Sequence, residues 1–280
     1  MSNLSEFDPD ITPPEPPRAP EPARAPLIWI AAAVVLVAVA AGVYFWLGRT
    51  PSPAAGTTAT EAEVPATPLD RPLGGDAEAI AVPPLDESDA LVRTLVAALS
   101  SHPQVAAWLT TNGLIRNFVV VVENISTGAT PSGHLRPLRP AGTFRVLERD
   151  GDITIDPRNY DRYSGIAGAV DSVDAAGAAK LYATLKPRIE EAYADLGRQD
   201  GFDRALERAL VSLLRVPVPP SGVRIEPSGA VEYEYVDPRL ARLTGAQKQL
   251  VRMGPRNVAV IQGKLREIAL ALGIPAERLR

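Results

Sequence analysis

The chain has 280 residues, 46% of them hydrophobic and 22% charged, with 29 Lys and Arg against 33 Asp and Glu and no cysteine. The lack of cysteine excludes a disulfide framework, a thiolate metal site and a cysteine nucleophile, and a net charge of −4 excludes the domain-wide basic footprint of a nucleic-acid binder. That charge is unevenly placed: residues 1–84 hold 15 of the 28 prolines with 4 Lys/Arg and 10 Asp/Glu, giving 4 − 10 = −6, while residues 85–280 give 25 − 23 = +2.

Residues 1–26 are a proline-rich tail, PPEPPRAPEPARAP from Pro13 to Pro26, that favours polyproline II and has no apolar face to bury. Leu27–Leu47 then runs 21 residues without a charge, enough at about 1.5 Å per residue to cross a hydrocarbon core of roughly 30 Å as one helix. Trp29 at one end and Tyr44, Phe45 and Trp46 at the other sit where aromatic rings favour the two interfaces. A cleaved signal peptide would need a short basic leader and a small-residue cleavage site. Here the leader is acidic and the run ends in Tyr44, Phe45 and Trp46. Arg18 and Arg24 precede the span and only Arg49 follows closely, which places the N-terminus in the cytoplasm and the rest outside. Residues 48–84, with seven prolines among Ala, Gly, Thr and acids, read as a linker.

From Leu85 the composition turns globular, and 85–280 is expected to form one domain, mainly α with small antiparallel β hairpins (α+β). Asp86 or Ser88 caps a helix whose stripe is Leu91, Val92, Leu95, Val96 and Leu99. A short helix starts at Pro103. A third, capped by Asn112, buries Leu114, Ile115, Phe118, Val119, Val122 and Ile125 before Gly128. Val119–Val122 also suits a strand, but the flanking spacing of three and four favours helix.

Strands over Phe144–Glu148 and Ile153–Ile155 flank the turn pair Asp150 and Gly151. DPRNYDRY (156–163) leads into a short helix near Ile166–Val173, then a long amphipathic one over Asp174–Leu196, with a kink expected at Pro187. Another helix covers Phe202–Leu214, and strands are expected over Val223–Ile225 and Val231–Val236. Asp237 with Pro238 starts a helix, Thr244 another through Leu250, and Pro255 opens the last, which Gly273 stops.

Chemistry is hard to find. His102 and His134 stand 32 residues apart, so no metal site and no cofactor is expected, and no nucleotide loop or nucleophile elbow occurs. What remains is arginine in turns: Arg136 and Arg139 in HLRPLRP, Arg158 and Arg162 beside Tyr160, and Arg256 with Asn257 in MGPRN. Guanidinium forks suit carboxylates and phosphates, so these seven residues are candidate contacts for a partner or an anionic wall component. Pairing with the domain's own acids is the competing reading.

The segments PPLDESDALVRTLVAALSSHPQVAAWL, NGLIRNFVVVVENISTG, HLRPLRP, DPRNYDRY and QKQLVRMGPRNVAVIQGKLREIALALGIP together resemble a bacterial domain-of-unknown-function family over roughly residues 83–276. The resemblance implies a single-pass inner-membrane protein with a proline-rich stretch and one C-terminal domain, and it transfers no catalytic residue. The expectation is a membrane-anchored envelope protein with a non-enzymatic binding or scaffolding domain outside the inner membrane. Its partners would be the bilayer, through 27–47, and an envelope protein or anionic wall component. The alternative is an envelope hydrolase or transferase with an arginine-lined cleft.

Overall fold

The computed structural model describes residues 72–131, 135, 138–228 and 232–280. The tail, the apolar run 27–47 and the linker through residue 71 lie outside the described residues, as do His134 and Arg136. Among the described residues no helix is long and apolar enough to cross a membrane.

They form a mainly helical α+β unit. Its elements are α1 (Asp89–Leu99), α2 (Pro103–Trp108), α3 (Leu114–Ser126), β1 (Val146–Arg149), β2 (Asp152–Ile155), α4 (Arg158–Asp161), α5 (Ser164–Asp171), α6 (Ala175–Asp195) and α7 (Phe202–Leu214). They continue with β3 (Arg224–Ser228), β4 (Glu232–Tyr235), α8 (Pro238–Ala241), α9 (Gly245–Val251) and α10 (Pro255–Ala271).

The two expected hairpins join into one antiparallel sheet of order β1-β2-β3-β4, because Ile153 pairs with Ile225 and Thr154 with Arg224. Asp150, at φ 51°, and Gly151, at φ 82°, make the tight β1–β2 turn. Phe144, expected within the first strand, lies before it and stays exposed.

Helix wins over strand at Val119–Val122, since α3 buries Leu114, Ile115, Val119 and Val122 on one stripe. Its cap is not Asn112. Gly113, at φ 65°, is the cap position, and the Asp89 carboxylate at the start of α1 accepts from Gly113 N and Leu114 N at 2.8 Å each. One acid thus satisfies two orphan amides of another helix and fixes the α1–α3 corner. Pro187 stays within α6, which runs unbroken over 21 residues.

Residues 72–84, linker by composition, lie against the domain. Leu73 is buried, Gly74 N donates to Leu272 O at 3.0 Å, and Arg188 Nε donates to Pro83 O at 2.8 Å. These contacts use backbone groups, which a Pro/Gly/Ala composition does not advertise.

Two apolar clusters form. One gathers α1, α3, α6 and α7 around Phe202, with Tyr193 edge-on at 5.3 Å and Phe118 tilted at 5.6 Å. The other packs the sheet against α5 and α8–α10 through Ile155, Ile225, Leu250 and Val258. Leu265 of α10 touches both.

Candidate functional site

The two arginine turns meet in space. Asn257 at the start of α10 donates from Nδ2 to Tyr160 O and to Met253 O, at 2.8 Å each. The Tyr160 ring lies against Gly254, where a Cβ would sit 2.3 Å from Cγ. Burial pushes the Tyr160 hydroxyl above its ordinary pKa, and it faces the backbone of Gly222 and Val223. DPRNYDRY and MGPRN are therefore two halves of one internal joint between the β2–α4 corner and α10.

Within the first half, the polar groups are spent on the turn itself. Asp156 is buried, and its Oδ1 accepts from Arg158 N at 3.0 Å. Arg158 folds its guanidinium back, with Nη2 at 2.6 Å from Asp156 Oδ2. That hydrogen-bonded fork holds the Asp156 carboxyl below the usual carboxylate range. Asn159 accepts from Arg145 N at 2.9 Å and donates to Arg145 O at 2.6 Å, imitating a strand partner before β1. Arg162 donates to Thr143 O at 3.1 Å and lies 5.8 Å from the Tyr163 ring centre. Of the seven sequence candidates, Arg158, Tyr160, Arg162 and Asn257 thus hold internal partners. Arg139 and Arg256 are exposed, with no ion pair among the described residues. Arg136 lies outside them.

Half-buried Asp203 and buried Glu207 and Glu123 also tie elements together. Asp203 of α7 accepts from Tyr182 Oη at 2.5 Å and from Lys186, both on α6, and from Leu73 N at 3.2 Å. Glu207 pairs with Arg278 at 2.6 Å, and Glu123 pairs with Arg198 and accepts from Tyr193 Oη at 3.2 Å. Tyr193 Oη also donates to Asp200 Oδ1 at 3.0 Å, and burial, together with Asp200 and Glu123, pushes this hydroxyl up to about 12. No group of three or more His, Asp or Glu that could hold a metal ion occurs among the described residues.

The feature absent from any motif is a cavity. Protein atoms leave about 400 Å³ between α1, α2, α3, α6, α7 and α10, walled by Phe118, Val122, Leu181, Leu185, Leu210 and 16 further residues, with Trp108 at one wall. Of these 22, only Trp108 and Tyr182 carry a polar side-chain atom. The Tyr182 hydroxyl is committed to Asp203, and the buried Trp108 indole N–H has no acceptor among the described residues.

Size decides the significance. A space of about 400 Å³ is more than twice the roughly 150 Å³ of an apolar core cavity that takes up benzene. Interiors normally pack to crystal-like density. A hollow on this scale, lined by inward stripes of six helices, has the dimensions of a ligand pocket, roughly 300–1,000 Å³.

The model of a family described as proteins of unknown function (DUF3014) matches residues 114–269, which is 156 of the 280 residues. The match runs from α3 to α10 and takes in both halves of the internal joint and 17 of the 22 cavity residues. No curated protein and no solved structure matches the chain.

Proposed function

We propose that this chain, which belongs to the DUF3014 family of proteins of unknown function, is a membrane-anchored, non-enzymatic binding module that holds an apolar ligand in the cavity between α1, α3, α6 and α7. The carrying observation is the wall: 20 of 22 side chains around about 400 Å³ are pure hydrocarbon. Such a wall encloses and orients by exclusion of water. It supplies no acid, base or nucleophile to a reaction.

The uncharged run Leu27–Leu47 supports anchoring as a single pass in a bacterial inner membrane, and Arg18 and Arg24 ahead of it support a cytoplasmic N-terminus with the domain outside. The exposed guanidiniums of Arg139 and Arg256 support a lesser contact with an anionic envelope component.

A reporter enzyme active only outside the membrane, fused to the C-terminus of the full chain, tests the placement. Activity is expected. A stably made but inactive fusion, with the domain shielded from added protease until the membrane is opened, would reverse the topology.

A further inference from the structure

We infer that the occupant of the cavity is a single extended acyl chain of a membrane amphiphile, a narrowing that rests on the tethered binding module proposed above. Three observations select this class.

The first is extent. The wall runs from Leu114 to Ile125 on α3 and from Ala178 to Ile189 on α6, twelve residues along each helix, or about 16 Å over eleven steps of 1.5 Å. An extended chain advances roughly 1.2 Å per bond, a third of the 3.3–3.6 Å spanned by three backbone bonds, so this length takes about 13 bonds. A single aromatic ring is too small, since an apolar cavity of about 150 Å³ already holds benzene.

The second is chemistry. With only Trp108 and Tyr182 offering polar atoms, a sugar, a nucleotide or an extended peptide would bury donors and acceptors without partners. A peptide helix satisfies its own backbone, and one seated here would shield the cavity peptides from the label used in the test below.

The third is supply. Only 24 residues separate Leu47 from the described Pro72, and in any conformation the 25 steps between them reach at most about 90 Å. The domain is thereby held where bilayer acyl chains are the abundant apolar species, at high effective concentration.

Cells making the full-length chain, fed a diazirine-bearing fatty acid and irradiated, provide the test, with labelled peptides mapped by mass spectrometry. Label is expected on peptides covering 114–125 and 178–189 as well as on 27–47. In the chain carrying Ala178→Leu and Ala209→Leu, which fill the cavity, the first two are expected to fall several-fold while 27–47 stays labelled. Protease resistance of residues 72–280 checks that the variant is folded, and the unsubstituted map stands without it. Label confined to 27–47 overturns the acyl-chain inference and leaves the anchored module intact. Label absent from 27–47 overturns the anchor instead. Label on the cavity peptides that survives the filling substitutions places the chain on the outer surface and also overturns the inference.

Discussion

Gly254→Ala is expected to destabilise the domain by about 2–5 kcal/mol, the sum of roughly 1–2 for a left-handed backbone and 1–3 for overpacking. Gly254 sits at φ 84°, and its Cβ would meet the Tyr160 ring at 2.3, 2.5 and 2.7 Å from Cγ, Cδ1 and Cδ2. Ring and backbone both belong to packed elements, so neither yields cheaply. At about 2–4 °C per kcal/mol for a domain this size, the melting temperature should drop by roughly 4–20 °C. The two causes separate in a double-mutant cycle. In a Tyr160→Ala background the clash is gone and only the backbone cost of about 1–2 kcal/mol should remain. Additive effects across the cycle would show that the joint between the two turn motifs is not in contact as described.

Filling the cavity is expected to act in the opposite direction. Ala178→Leu and Ala209→Leu each add three carbons to the cavity wall. At about 0.8 kcal/mol per buried methylene each should stabilise the lipid-depleted protein by roughly 2 kcal/mol. That corresponds to a rise in melting temperature of about 4–8 °C per substitution. In a well-packed core the same changes cost about 1–3 kcal/mol, so the sign alone distinguishes a hollow from a filled interior. The filled protein should also lose any stabilisation by added fatty acid, since ligand linkage needs the site.

Much of the fold is legible in the sequence because its helices carry long, regular stripes. Phe118, Val119 and Val122 fall on one face of α3, and this spacing outweighs the β-branched run that includes them. What escapes is whatever depends on distant partners. Asn112 is a sound local cap candidate, but Asp89, 24 residues before Gly113, does the work. Leu73 and Gly74 join the domain through backbone contacts to Asp203 and Leu272. Charge, proline and glycine mark the turn motifs as special without showing that Asn257 bonds Tyr160, 97 residues away. Arginines that look poised for an external anion are equally suited to an internal one, and Arg158 with Asp156 takes the second course.

The cavity is the least legible feature for a simple reason. Leu181, Leu185 and Leu210 lie on inward stripes whether the helices they face are close or apart. Periodicity shows which face turns inward, and it carries no information on how far the opposing face stands. A small-to-large count along the stripes does not reveal it either, since volume belongs to the arrangement of six helices and not to any one of them.

The central claim is that a membrane acyl chain enters this cavity, and one wall residue reports on it directly. The chain has three tryptophans, and Trp108 lines the cavity, while Trp29 and Trp46 lie outside the described residues. With Trp29→Phe and Trp46→Phe, the full chain in bilayer discs of mid-chain brominated phospholipid should show Trp108 emission strongly quenched relative to discs of the unbrominated lipid. The emission should recover when Ala178→Leu and Ala209→Leu are added. Trp108 emission identical in brominated and unbrominated discs would contradict the account.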